Sequence, residues 1–288
     1  MKAIIYTVLA LVAFAGNSLL ARMALADGSI DSWNFTSIRL FSGAICLGVI
    51  LLIQQKRFAT NHTVITQERG SWRSGISLLI YALCFSIAYV ELDTGTGALI
   101  LFSAVQLTMI GWGIFNKERF SMVQWLAFFV ALAGFVYLML PSAAVPSLLP
   151  ALLMTLSGVA WGVYSIRGKN CGAPLKATSY NFARSIVALP ILMIIGFMAV
   201  SQISWQGVLL AFFSGSVASG LGYSVWYLAL PLLKSSQAAV VQLCVPVLAA
   251  IAGVIFLGEA LTVQFVIASA VILGAVLVFL MAKSAPTH

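Results

Sequence analysis

The chain has 288 residues, of which 62% are hydrophobic and 8% are charged. Soluble domains carry about 25% charged residues, and a fold of this size cannot hide so much apolar surface from water, so a soluble globular protein is excluded. The formal charge of +8 does not point to nucleic acid, because the basic residues recur in short pieces between apolar runs, which is the pattern of membrane topology.

A helix that crosses a bilayer needs about 20 apolar residues. Hydropathy predicts ten such spans, at 3–25, 34–54, 73–92, 95–115, 122–140, 148–166, 177–200, 205–228, 235–256 and 262–281. The class is an all-α membrane protein. Barrel strands are excluded because alternation at every second residue is absent. The run that opens the chain continues to Leu25 and reads as the first span, not as a cleaved leader. Gly28, the stretch from Pro141 to Pro146, Pro174 and Pro231 punctuate the joints. Ten spans take roughly 200 residues, which leaves no room for a soluble domain, so function sits inside the bundle.

Lys and Arg set the orientation. Lys2, Lys56, Arg57, Arg69, Arg73, Lys117, Arg119, Arg167, Lys169, Lys176, Lys234 and Lys283 fall on one side, and only Arg22 and Arg39 on the other. Both termini are therefore expected in the cytoplasm, in a multi-pass protein of a bacterial-type inner membrane. Cys46, Cys84 and Cys244 lie in apolar runs and Cys171 in a loop, with no spacing that suggests a disulfide framework or a zinc site. No cofactor and no metal are expected.

The two halves resemble one another. At an offset of 145, Ala15 meets Ala160, Arg22 meets Arg167 and Arg39 meets Arg184. At 138, Ser86 meets Ser224 and Tyr89 meets Tyr227; at 141, Phe115 meets Phe256, Glu118 meets Glu259 and Ser121 meets Thr262. Residues 1–140 and 148–281 thus read as two five-span repeats. Five is odd, so the second copy enters the membrane inverted, which is a transporter architecture.

These residues resemble a known family. The stretch from Pro246 through Gly258, Glu259 and Thr262 is similar to a signature of EamA-like members of the drug/metabolite transporter superfamily, with a first-half counterpart from Phe115 through Glu118 to Ser121. Arg39 and Arg184, early in the second span of each half, and the sixth-span run Ser157–Tyr164 with Trp161 share the likeness. The resemblance covers the whole chain. It implies ten helices around a central cavity, with the fifth and tenth at the periphery, and export or exchange of small metabolites, amino acids or drugs. The first half departs from the pattern: Val105, beside Gln106, stands where the second half has Pro246.

Polar groups within a bilayer are costly and each asks for a reason. Asn17 in span one, Ser103 and Gln106 three apart on span four, Trp161 and Tyr164 on span six, Tyr223 and Tyr227 on span eight with Tyr89 as the repeat partner of Tyr227, and Gln242 in span nine are the expected substrate-binding set. Aromatic rings and amides suit an amphipathic ligand through stacking, cation–π contacts and hydrogen bonds. Arg39, Glu91 and Pro246 are the expected coupling or gating residues: Arg39 with Glu91 or Asp93 as its partner, Glu91 as a carboxylate that exchanges a proton, and Pro246 as a mid-helix bend. Glu118 and Glu259 read as structural acids, Glu259 capping the tenth span.

The rivals are weaker. A serine hydrolase needs a base, and the two histidines, His62 and His288, lie in a loop and at the tail. A channel would want a carbonyl filter or a ring of charges. The sequence therefore predicts a secondary transporter that exports or exchanges small amphipathic metabolites, amino acids or cationic drugs, by alternating access, with an intramembrane enzyme or a channel-like facilitator as the alternatives. The expected partners are a small-molecule substrate and the lipid bilayer, and no nucleic acid; small-residue pairs such as Ala249/Gly253 permit close packing either inside the bundle or against a second copy of the chain.

Overall fold

A computed structural model describes residues 2–58, 69–116, 120–138, 140, 147–168, 171–198, 203–229, 232 and 241–282, the side chains of 56–58 excepted. Among these residues the regular structure is entirely helical. Ten helices follow in order: α1 (Lys2–Leu25), α2 (Ser32–Phe58), α3 (Trp72–Ala88), α4 (Thr94–Phe115), α5 (Met122–Leu138), α6 (Leu148–Gly168), α7 (Pro174–Met198), α8 (Trp205–Ala229), α9 (Cys244–Leu257) and α10 (Val263–Met281). Seven are long and apolar enough to cross a membrane; α3, α5 and α9 are shorter apolar helices. The protein is a multi-pass membrane protein. Lys117, Glu118, Arg119, His62, Pro231, Lys234 and His288 lie outside the described residues.

Helix ends follow capping chemistry. The first N–H groups of a helix lack partners within it, and short polar side chains supply them. Ser71 accepts from Ser74 N at the start of α3, Ser204 from Gly207 N at α8, and Thr262 from Phe265 N at α10. At α5 the exchange is reciprocal, with Ser121 N donating to Gln124 Oε1 and Gln124 N to Ser121 Oγ, which is a capping box. Ser121 and Thr262, aligned by the 141-residue offset, thus do the same job. Glu259 does not cap α10; Thr262 does, and Glu259 reaches elsewhere. Gly258 ends α9 at φ 66°, a left-handed conformation that glycine adopts without a Cβ penalty.

Two helices are interrupted. α7 passes through a 3₁₀ turn at Ile186–Ala188, just before Pro190, whose ring cannot donate to Ile186 and clashes with that carbonyl. α8 carries a π segment at Ser214–Leu221, and such bulges concentrate at functional sites. Pro246 lies in the first turn of α9, three residues after a turn at Leu243 that separates it from the helical residues 241–242, a place where a missing N–H costs little.

Packing runs α3 on α6, α4 on α6 and α9, α1 on α8 and α9, α2 on α7 and α8, α3 on α7, and α5 on α10. The outer surface is apolar: Ile4, Val8, Phe41, Ile45, Leu126 and Phe129 are all exposed. The interior is where polar groups gather, with Asn17, Arg39, Ser103, Gln106, Ser157, Thr178 and Asn181 buried. That inversion suits lipid as the outer solvent. Close approach needs small residues: a Cβ on Gly215 of α8 would strike Arg39 O and Ser42 Oγ of α2.

Candidate functional site: a closed end, a buried centre and an open vestibule

Arg22, at the last turn of α1, closes one end of the bundle. Its guanidinium donates to Tyr89 O at 3.2 Å and Val90 O at 2.8 Å, beyond the end of α3, and lies 3.4 Å from Asp93 Oδ1 and 3.5 Å from Glu259 Oε1. Glu259 also receives Thr94 N at 2.8 Å and Thr94 Oγ1 at 2.9 Å. Its carboxylate therefore caps α4 from the loop after α9. A negative charge is favoured at a helix N-terminus, so one acid ties α1, α4 and α9 together. Burial pushes the Glu259 carboxyl up from its ordinary range, opposed by the Thr94 hydrogen bonds and, less, by Arg22. Asp93 is raised for the same reason, with Arg22 opposing.

Arg39 occupies the centre. It is 2% exposed, does not snorkel, and pairs with neither Glu91 nor Asp93. Nη2 donates to Tyr81 Oη at 2.9 Å, and Cζ stands 4.6 Å from the Phe85 ring centroid and 5.1 Å from that of Tyr81. Such rings attract a desolvated cation. Asn17 Nδ2 reaches the same Tyr81 hydroxyl at 3.5 Å, and Asn17 Oδ1 accepts from Ser214 Oγ at 2.7 Å. Beside this network is a void of about 20 Å³ lined by Phe14, Asn17, Tyr81, Phe85, Trp161, Ser219 and Tyr223, among others. Trp161 is sandwiched there, 5.0 Å from Tyr223 and 5.4 Å from Tyr164 with rings nearly parallel.

The other end holds a cavity of about 290 Å³. Arg69, Ser71, Ser74, Tyr164, Arg167, Cys171, Thr178, Asn181 and Tyr227 are among its walls. Thr178 Oγ1 joins Tyr164 Oη at 3.1 Å and Tyr227 Oη at 2.9 Å. Arg167 donates to Ser74 Oγ and Ser71 Oγ, each at 3.1 Å. Arg184 donates to Arg69 O and lies over Trp72. Among the described lining residues the charged ones are both arginines.

The nine expected binding residues thus divide. Asn17, Trp161 and Tyr223 line the central void; Tyr164 and Tyr227 line the vestibule. Tyr89 stands at the Arg22 end, its hydroxyl on Thr94 O and its ring edge-on to Phe85. Ser103 and Gln106 are buried in α4, and Gln242 is half-buried just before α9; these line neither cavity. Glu91 is exposed and accepts from Ser147 Oγ at 2.8 Å. The sequence reading passed over Tyr81 and Phe85, which share a face with Tyr89 at intervals of four. It also passed over Thr178 and Asn181, three apart on α7. That spacing was the available signal.

A profile of the EamA-like transporter family matches residues 148–281. An uncharacterized protein of Pseudomonas aeruginosa is 46% identical over 97% of this chain and 94% of its own length. The uncharacterized transporter YoaV of Bacillus subtilis is 24% identical over 85% of this chain and 83% of its own, and an uncharacterized transporter of Archaeoglobus fulgidus is 26% identical over 77% and 86%. The chain belongs to the EamA-like transporter family. A solved structure shares the fold of this EamA-like transporter at a TM-score of 0.63, with 16% identity and 96% of each chain covered. Membership makes the protein a membrane transporter, and an open polar cavity at one end with polar and aromatic groups buried at the centre suits that role.

Proposed function

We propose that the protein is a secondary transporter that exports or exchanges small amphipathic metabolites across the inner membrane by alternating access. The observation that carries this reading is the asymmetry between the ends: an open polar cavity of about 290 Å³ at the Arg69 end, and α1, α4 and α9 tied by Arg22 and Glu259 at the other. With both termini in the cytoplasm, as the basic residues favour, this is an inward-facing conformation. Substrate enters beside Tyr164 and Tyr227 and moves to Asn17, Trp161 and Tyr223. Ser103, Gln106, Tyr89 and Gln242 serve the path in the later, outward-facing state, with Arg39 and Pro246 on the coupling elements; Glu91, exposed and on Ser147 Oγ, is left out of that set.

The proposed inverted repeat of 1–140 and 148–281 draws support from the packing. Exchange each helix for the one five places on, and α3 on α6 becomes α8 on α1, α4 on α6 becomes α9 on α1, and α2 on α8 becomes α7 on α3; all of these contacts occur. The pairs α2–α7, α4–α9 and α5–α10 map onto themselves. Arg22 and its repeat partner Arg167 engage opposite ends of α3, as an inverted pair would.

The test is metabolite release. Cells that overproduce the wild type are compared with cells that make Asn17→Ala or Tyr227→Ala at equal membrane levels, and the medium is profiled by mass spectrometry. Compounds enriched by wild type and lost in both variants support the reading. Enrichment that is equal in all three removes these residues from the path.

A further inference from the structure

We infer that Ser42 and Gly220 are positioning residues for transport: they hold the π segment of α8 in a register that keeps Tyr223 in the central void, and release of that register exchanges Tyr223 for Gly222. The inference rests on the transport reading and concerns how the same central site opens.

A π stretch takes up one residue more than an α-helix over the same path. In Ser214–Leu221 the surplus shows at the close, where Gly222 N donates to Val217 O, five residues back. One residue is about 100° of turn and 1.5 Å of rise. If α8 straightens with its first half fixed, each later residue takes the place now held by the one that follows it. Gly222 then stands where Tyr223 lines the void, and Trp226 where Tyr227 lines the vestibule. The void, which now has room for about one water, gains the space of a phenol side chain.

Contacts with two neighbouring helices set the register. Ser42 Oγ of α2 donates to Phe212 O at 3.2 Å, and Ser214 Oγ donates to Asn17 Oδ1 of α1 at 2.7 Å, so both helices are held close to the start of the segment. Further along, a Cβ on Gly220 would stand 3.0 Å from Cys46 Sγ of α2, and one on Gly222 would stand 2.9 Å from Ala13 Cβ of α1. The straight register places Ser219 and Leu221 at those two contacts. Their side chains fit only when α2 and α1 draw back, and α1 is the helix that carries Arg22. Opening of the centre is thereby tied to release of the closed end.

Ser219 supplies an independent observation. It is 2% exposed, and its hydroxyl has no partner among the described residues. Serine hydroxyls on a helix can bond the carbonyl four residues back, as Ser216 does to Phe212 O and Ser224 to Gly220 O. The π geometry denies Ser219 the matching bond to Gly215 O, and the straight register restores it. The present register thus leaves a buried group unsatisfied, a cost that the packing of α2 and α1 offsets and that favours the other register once they withdraw.

The experiment reads the register at Trp161, whose ring lies 5.0 Å from that of Tyr223 and nearly parallel to it. The full chain is labelled with 5-fluorotryptophan, and the fluorine NMR line of Trp161 in detergent is assigned by its loss in Trp161→Phe. Tyr223→Ala marks the position of the unstacked line. Ser42→Ala and Gly220→Ala should each raise the share of that line by about fivefold to tenfold, the measure of one lost hydrogen bond. Cys46→Gly combined with Gly220→Ala should restore the stacked line, which a general loss of structure would not do. Deletion of Val217, which is exposed, removes the surplus residue and leaves Tyr223 in place, so this variant should show the stacked line alone and release no metabolite from cells. An unchanged Trp161 line in both substitutions, no recovery in the double variant, or wild-type release by the deletion variant overturns the inference; the substitutions decide it if the deletion variant does not fold. Release by wild type without the spectral changes leaves the transport reading standing and removes only the register switch. No release by wild type, whatever the spectra show, removes the transport reading.

Discussion

Replacing Glu259 with Ala should open the Arg22 end. The carboxylate accepts Thr94 N and Thr94 Oγ1 and faces Arg22 Nε at 3.5 Å, with only 11% of its side chain exposed. Loss of an N-cap costs about 1 kcal/mol, and a hydrogen bond to a charged group contributes about 1.5–3 kcal/mol. Water entering behind the truncated side chain recovers part of this, which leaves about 2–4 kcal/mol against the tied conformation. Since 1.4 kcal/mol is a factor of ten, the equilibrium moves by roughly 30-fold or more. The reporter is Thr96→Cys, in a background without Cys46, Cys84, Cys171 and Cys244. Thr96 is 3% exposed and lines the crevice beside Asp93 and Glu259. Whole cells are treated with a membrane-impermeant maleimide and the labelling rate is read. Glu259→Ala should raise that rate by one to two orders of magnitude. A lowered melting temperature with an unchanged labelling rate would refute the argument, because it would make Glu259 a fold anchor and not a tie between moving parts.

The remaining predictions use the same reporter or simple transport. Gly253→Ala places a Cβ on Glu259 Oε2, and overpacking of this kind costs about 1–3 kcal/mol, so labelling of Thr96→Cys should rise as it does for Glu259→Ala; a rate equal to that of Gly253 would contradict the contact. For pH, burial raises Glu259 and Asp93 in the tied state, so that state holds its protons more tightly than an open, rehydrated one. Acidification through the range above the ordinary carboxylate pKa should then slow labelling, and rising pH should speed it; acid-accelerated labelling would reverse the sign and sink the linkage. Glu91→Gln should leave the transport pH profile unchanged, since Glu91 is exposed and, among the described residues, meets a serine hydroxyl, whereas Glu259→Gln should flatten it. Tyr81→Phe removes the acceptor of Arg39 Nη2 and Asn17 Nδ2 and should destabilise the bundle by about 1–3 kcal/mol, read as a lowered melting temperature in detergent.

The spans were legible because a bilayer imposes its thickness on the sequence, and ten helices stand where ten apolar runs were read. The caps at Ser121 and Thr262 were not read as caps: the 141-residue offset aligned the two residues, but the cap of the tenth span was given to Glu259, three residues too early. Pairing of charges was not. Arg39 and Arg22 both looked like cations on a side poor in Lys and Arg, and Asp93 was available to either. The choice depends on which helix faces the end of α3, and hydropathy carries no such information, because a helix has no clear polar and apolar faces when lipid and core are both apolar. For the same reason Glu259 looked like a local cap for α10, when the nearest bare helix N-terminus in space is that of α4, 165 residues away in sequence. Glu91 looked like the functional acid from its position at a span end, and only the packing distinguishes an acid that points into solvent from one that a neighbouring helix covers.

Under the proposed repeat, the two ends of the bundle are held unequally. Arg22 and Arg167 hold equivalent places at the ends of α1 and α6, and each reaches an end of α3. Arg22 finds two carboxylates and two carbonyl oxygens there, whereas Arg167 finds two serine hydroxyls and remains exposed. A charge-assisted contact that is half-buried is worth more than a hydroxyl contact in water. In the proposed cycle, which alternately seals the two ends, the Arg22 end is the one expected to stay shut without substrate. Ligand binding at the centre must overcome that bias, and it can do so only through interactions stronger in the other state.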